Sequence, residues 1–233
     1  IRMIPSAFEY HRPADVKSAV DVLDKHGDEA RVLAGGHSLI PLMKLRMAAV
    51  EHLVDLQDVE ELKGVSVSGG IVTIGAMTTQ HELIASDALA KSAPLMREAA
   101  LQIADPQVRY MGTIGGNVAN GDPGNDMPGL MQCLGAAFLL ESASGSREVA
   151  ARDYYQGADM TSLRDGELIT AIRFPRPVAG HGYAYMKLKR KIGDYATAAA
   201  AVILEMEGGK VRDAAIALTN VADTPLYAAD AVA

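Results

Sequence analysis

Two glycine pairs constrain what this chain can fold into. Gly35-Gly36 lies within Arg31-Val32-Leu33-Ala34-Gly35-Gly36-His37-Ser38, and Gly115-Gly116 within Met111-Gly112-Thr113-Ile114-Gly115-Gly116-Asn117. Glycine lets the backbone take left-handed conformations and turn its N–H groups inward, so each pair, set in a loop, can close on an anion with no side chain in the way. Ser38, Thr113 and Asn117 add donors beside them. Either pair alone reads equally well as an ordinary turn. Together, far apart in sequence and both flanked by hydroxyls, they favour a fold that grips a pyrophosphate from two sides, the group a dinucleotide cofactor presents. The commoner nucleotide solutions are excluded, because neither a G-x-G-x-x-G nor a G-K-[ST] string occurs.

A chain of 233 residues, 49% hydrophobic and 22% charged, can bury one large core or two small ones. Its net charge of -7 argues against the broad electrostatic attraction on which nucleic-acid binding rests. The basic run Lys187-Leu188-Lys189-Arg190-Lys191 reads as a solvated strand face, Lys187 excepted. Cys133 is the single cysteine, so this chain alone can build no internal disulfide, iron–sulfur cluster or thiolate zinc site. If electrons move here, a bound organic cofactor must carry them. His11, His26, His37, His52, His81 and His181 show no H-x-x-H or H-E-x-x-H spacing, and metal ligands are not expected. No G-x-S-x-G elbow supplies a hydrolase nucleophile. With no apolar run of membrane-spanning length and no apolar signal core, a cytoplasmic location is expected.

Periodicity predicts a helix over Ala14 to His26, strands over Ala30 to Ala34 and Glu51 to Leu56, and a hairpin of Val65 to Val67 with Ile71 to Gly75 turning on Ser68-Gly69-Gly70. Thr79-Gln80-His81-Glu82 is a capping box with His81 at the surface, and Ser92 to Ile103 reads as one helix. A long loop of turn formers is expected from Val118 to Pro128, before an apolar helix from about Gly129 to Leu134 that Asp126 could cap. Strands follow over Ala136 to Leu140, Glu167 to Phe174, Gly182 to Leu188, Ala196 to Met206 and Lys210 to Leu218, with a turn at Glu207-Gly208-Gly209. Pro175-Arg176-Pro177 breaks the pattern and is the expected domain boundary. Tyr227 to Ala233 reads as the opening of a helix.

Four stretches carry a family resemblance: Ala34 to Pro41, Thr113 to Asn117, Gly121-Asp122-Pro123-Gly124-Asn125-Asp126-Met127-Pro128, and Lys189 to Ala196. Together they resemble the medium, FAD-binding subunits of aerobic molybdenum carbon monoxide dehydrogenases, within the wider xanthine dehydrogenase family. The glycine motifs are shared across the wider family, and the later two point to the carbon monoxide enzymes. The implied fold is α+β: a two-part FAD-binding domain of the vanillyl-alcohol-oxidase/PCMH type over 1–176, then a smaller β-rich C-terminal domain over 177–233. Family members continue past the point where this sequence stops, so terminal helices are expected beyond it.

The resemblance implies non-covalent FAD. Ala34, Gly35, Gly36, His37 and Ser38, with Thr113, Ile114, Gly115, Gly116 and Asn117, would hold its pyrophosphate through backbone N–H groups and the Ser38 and Thr113 hydroxyls. Asp126 would accept from a ribose or ribityl hydroxyl, Lys187 would lie near the isoalloxazine ring, and Tyr195 would stand over one ring face, with a packed core aromatic as its competing reading. Neither His37 nor Cys133 is expected to be linked to the flavin. No catalytic or metal-binding residue is expected in this chain. The implied partners are a large subunit with a molybdenum–copper centre and a small one with iron–sulfur clusters, in a dimer of heterotrimers. They imply a quinone acceptor, no nucleic acid, no membrane span, and room for peripheral association of the complex with a membrane. Two rival readings stay open: the flavin subunit of a related hydroxylase acting on a purine, an aldehyde or an N-heterocycle, and a cofactor-free assembly subunit.

Overall fold

The computed structural model describes residues 3–232, so Ile1 and Arg2 of the expected first domain and Ala233 of the second lie outside the described residues. Asp15 starts the first helix: its backbone is extended and its carboxylate accepts from the Ser18 N–H. Strands β1 (Glu9–His11), β2 (Ala30–Leu33) and β3 (His52–Asp55) form a parallel sheet in the order β1-β3-β2, and α1 (Val16–His26) lays Val16, Ala19, Val20 and Leu23 on Val54. Helix α2 (Leu39–Lys44) connects β2 to β3 and closes over Leu33, Val50 and Leu53 through Met43.

The expected hairpin is present as β4 (Val65–Ser68) and β5 (Ile71–Gly75), with Gly69 at φ +58° and Gly70 at φ +79°. Helices α3 (Gln80–Ala85), α4 (Asp87–Ser92), α5 (Pro94–Ala100), α6 (Pro106–Met111), α7 (Ile114–Ala119) and α8 (Asp126–Cys133) follow. The Thr79–Glu82 capping box opens α3, and His81 stacks on Tyr110. Four expectations are corrected here. The single helix over Ser92 to Ile103 is broken at Ala93, because Pro94 has no N–H to donate and pushes the residue before it out of the helical region. Gly115-Gly116 lies in the first turn of α7 instead of a loop. The long loop shrinks to the segment between α7 and α8, and Asn125, not Asp126, takes the cap position of α8.

Strands β6 (Ala137–Ser142) and β7 (Gly145–Ala150), helix α9 (Ala151–Tyr154), the small ribbon of β8 (Tyr155–Gly157) and β9 (Met160–Thr161), and β10 (Leu168–Pro175) complete the larger part. Its antiparallel sheet runs β4-β5-β10-β6-β7. Sequence patterning missed β7 because it is a largely exposed edge strand with Arg147 and Glu148 in its middle. Pro175 ends β10 opposite Ile71, where the lost donor leaves no inner strand unpaired.

A second antiparallel sheet, β11 (Gly182–Leu188), β12 (Ala198–Glu207), β13 (Lys210–Thr219) and β14 (Leu226–Tyr227), packs on α8. The expected terminal helix is corrected over the described residues: Tyr227 pairs with Ala217 in β14, and a 3-10 turn, Ala229–Ala231, follows. Tyr185, Ala199, Ala201 and Ala217 of this sheet share one core with Ile74, Phe138, Ile172, Leu95 and Met127. Helix α8 is buried along its whole length between the two sheets. The fold is therefore α+β, a two-part domain of parallel and antiparallel sheets followed by a smaller β-rich unit, as the resemblance implied. Among the described residues no helix is long and apolar enough to cross a membrane.

Candidate functional site

A cleft of about 660 Å³ opens between the two glycine segments. Its size is within the range of about 300–1,000 Å³ typical of small-molecule sites. Strand β2 delivers the first segment to it, α7 the second, and the stretch 163–169 leading into β10 forms the facing wall. The Arg147 guanidinium anchors that wall: Nε and Nη2 donate to the two Glu167 carboxylate oxygens at 2.6 and 2.7 Å, and Nη2 also to the Ser162 carbonyl. That bidentate partner holds the Glu167 carboxyl below its ordinary range.

The two glycine segments touch. A Cβ on Gly35 would sit 2.3 Å from the Met111 carbonyl oxygen and 2.8 Å from Gly112 Cα, so only glycine lets β2 run this close to the approach to α7. Gly36 follows at φ +74°, in the left-handed region. Within this segment the N–H groups of Gly35, Gly36, His37, Ser38 and Leu39 donate to no acceptor among the described residues. The Ser38 hydroxyl makes no capping bond to α2. Consecutive amides without an acceptor, beside a free hydroxyl and in a cleft, form a backbone arrangement able to take an anion.

The second segment is built differently. Ile114 N–H donates to the Thr78 carbonyl, Gly115 N–H to that of Ala76, Gly116 N–H to Thr113 Oγ1 and Asn117 N–H to the Thr113 carbonyl. An antiparallel bridge between Thr79 and Thr113 brings the start of α7 against the exit of β5, and these amides are used internally there. A Cβ on Gly115 would meet the Ala76 carbonyl oxygen and Cβ at 2.6 Å. What this segment can offer a ligand is the Thr113 hydroxyl proton and the Asn117 side chain; Asn117 Oδ1 also receives the Met127 N–H. The Ile114 side chain is fully buried in the main core and does not line the cleft.

Ala34, Gly35, Gly36, His37, Ser38, Thr113, Gly115, Gly116, Asn117, Asp126, Lys187 and Tyr195 all line the cleft. At its floor, Lys187 Nζ donates to Asp126 Oδ2 at 2.8 Å and to the Gln102 carbonyl at 3.2 Å, while the Tyr185 hydroxyl donates to Asp126 Oδ1 at 2.5 Å. Burial pushes the Asp126 carboxyl up, against the pull of Lys187 and Tyr185, and burial drives the Tyr185 hydroxyl far above its ordinary range. This pair joins β11 to the start of α8, so the C-terminal sheet completes the floor of the cleft. Tyr195 is 58% exposed and rests on Gly124 at the cleft edge, which overturns the packed-core reading. Cys133 lies outside the cleft, its thiol pushed up to about 12 by burial.

Sequence reasoning missed Gln80. It is 2% exposed, lines the cleft, and neither of its side-chain amide atoms has a partner among the described residues. Its only sequence signal is its place inside the capping box. Nor did spacing suggest that His11, His26 and His52 come together, which they do on the edge of the parallel sheet.

Residues 6–177 match the family described as the FAD binding domain in molybdopterin dehydrogenase, and residues 183–233 match the CO dehydrogenase flavoprotein C-terminal domain. The chain is 66% identical to the carbon monoxide dehydrogenase medium chain of Afipia carboxidovorans, over 98% of this chain and 80% of that one. It is 50% identical to the medium chain of that name from Hydrogenophaga pseudoflava, over 96% of this chain and 78% of the relative. The crystal structure of a Cu,Mo-CO dehydrogenase in its cyanide-inactivated form superposes with a TM-score of 0.97 at 66% identity, covering 98% of this chain and 80% of that one. With the cleft's cradle and both matched regions in the order seen here, the chain belongs to the family of FAD-binding subunits of molybdopterin dehydrogenases.

Proposed function

We propose that this chain is the flavoprotein subunit of an aerobic carbon monoxide dehydrogenase. In the assembled enzyme, carbon monoxide and water become carbon dioxide, two protons and two electrons in a large molybdenum–copper subunit. Iron–sulfur clusters of a small subunit would lead those electrons to this chain, whose residues would hold FAD as their acceptor, with a quinone as the final acceptor. The observation that carries the reading is the run of unspent amides from Gly35 to Leu39 beside the free Ser38 hydroxyl. Successive N–H groups that line one cleft and have no acceptor within the described chain can converge on a single anion, which satisfies them together. Bound FAD supplies an acceptor able to take electrons singly and release them in pairs.

The chain's own residues do the holding. The first glycine segment takes the pyrophosphate, and Thr113 and Asn117 close on it from the other side. Asp126 keeps lone pairs for a sugar hydroxyl beyond the two bonds it already accepts. Gln80 supplies an amide that can both donate and accept. The Lys187 ammonium, buried and held by Asp126 and the Gln102 carbonyl, sits at the cleft floor. Tyr195 at the edge limits access to the bound ring.

An anaerobic absorption spectrum of the complex containing this chain, taken before and after adding carbon monoxide, tests the reading. Flavin bands that bleach with the gas are expected. Flavin that stays oxidised would move the substrate to a purine, an aldehyde or an N-heterocycle, and a colourless chain would leave an assembly role.

A further inference from the structure

Parallel pairing of β1 with β3 sets Glu9 opposite His52, and strand alternation puts Glu9, His11 and His52 on one face of the sheet. Val54, two residues beyond His52, is buried on that face under α1, and α1 ends at His26. The rings of His26 and His52 therefore stack with centroids 3.5 Å apart, and the His11 ring lies 5.3 Å from His52 and 5.6 Å from His26. His11 Nε2 and His52 Nδ1 are 3.1 Å apart. Glu9 Oε2 is 3.4 Å from the same His52 nitrogen and 4.0 Å from that of His11. One nitrogen from each histidine lies within 4.8 Å of the other two.

We propose that His11, His26 and His52, with Glu9 as the fourth ligand, form a binding site for a late first-row divalent cation, zinc above all. Metal–nitrogen bonds of about 2.0–2.1 Å in a tetrahedron separate neighbouring ligand atoms by about 3.3–3.4 Å. The His11–His52 and Glu9–His52 separations already lie close to that edge, and His26 reaches it by tilting off its stack. An imidazole and carboxylate donor set suits zinc, copper or nickel and not magnesium or calcium, which want all-oxygen shells. His11 and His52 side chains are 25% and 12% exposed, sheltered yet open to an ion, and Glu9 at 73% is free to swing in. The cation would pin β1 and β3 to the end of α1, and Gly27, the residue after His26, lines the cleft.

The test uses the intact complex, incubated with zinc chloride, passed through gel filtration and assayed for zinc against flavin by mass spectrometry. Wild type is expected to keep one zinc per chain more than the His11→Ala/His52→Ala double variant, with an X-ray absorption shell of nitrogen and oxygen near 2.0–2.1 Å. His26→Asn, a conservative change at the helix end, is expected to weaken zinc retention at least tenfold while the flavin content and circular dichroism stay at wild-type values. It keeps the test decisive if the double variant folds poorly. Wild type that retains no zinc, or equal zinc in wild type and His26→Asn, overturns the site.

Discussion

Gly35-Gly36 and Gly115-Gly116 share a dipeptide, line the same cleft, and differ in what their amides do. In the first segment the N–H groups are unspent and the left-handed Gly36 turns the chain into α2. In the second they are bonded to Ala76, Thr78 and Thr113, and the glycines serve close packing of α7 on the exit of β5. A Gly-Gly string thus marks a place where backbone must come near something. Whether that something is a ligand or another strand depends on where the donors already point.

Substitutions can break this comparison. The largest effect is expected from Gly115→Ala, whose methyl group would press on the Ala76 backbone: a stability loss of about 2–3 kcal/mol, read in denaturant unfolding, with flavin lost only as a consequence. If flavin leaves while the unfolding midpoint stays put, the second pair is a ligand cradle after all. Next comes the facing wall, which touches neither pair. Glu167→Gln is expected to cost about 2 kcal/mol near neutral pH, the scale of a charged hydrogen bond.

That second change has a pH signature. Because Arg147 lowers the folded pKa of Glu167 beneath its unfolded value of about 4.3, the wild-type contribution is complete above that value and is lost as pH falls through the folded pKa. Acid titration of stability should show this slope in wild type and a weaker one in Glu167→Gln; parallel slopes would remove the pair from the account.

Gly36→Ala should cost about 1–2 kcal/mol for the left-handed residue and weaken flavin retention beyond that loss. Equal falls in stability and retention would argue for a purely structural turn. Smallest, and most discriminating, are the two hydroxyls. Thr113→Ala should lose about 1 kcal/mol with its helix cap, whereas Ser38→Ala should leave the flavin-free stability unchanged and loosen flavin about tenfold, the scale of one hydrogen bond to a charged group. The reverse pattern, measured by thermal unfolding and by flavin retained on dilution, would exchange the roles assigned to the two segments.

Much of this was legible in the chain. The hairpin at Gly69-Gly70, the capping box at Thr79, β11 and the Gly208-Gly209 turn are set by neighbours in sequence, where alternation and turn chemistry suffice. The break at Ala93 was also local, and Pro94 announces it, yet the helical spacing of apolar residues across it masked the signal. Strand β7 was hidden for another reason: an edge strand with one face in water need not be apolar. Gln80, buried and unpartnered, looks in sequence like any polar residue in a first helical turn.

The sequence by itself marked the two glycine pairs, and it determined that no thiolate or cluster site can form from one cysteine and that the strands and turns fall close to where they do, because these follow from composition, alternation and turn chemistry. Only the tertiary structure decided which glycine amides remain free, because that depends on the Thr79–Thr113 bridge pairing residues distant along the chain. It likewise decided that Asp126 meets Lys187 and Tyr185 at the cleft floor and that three histidines converge on one sheet edge. Such meetings are set by strand register and helix packing, which bring together groups that no spacing along the chain relates.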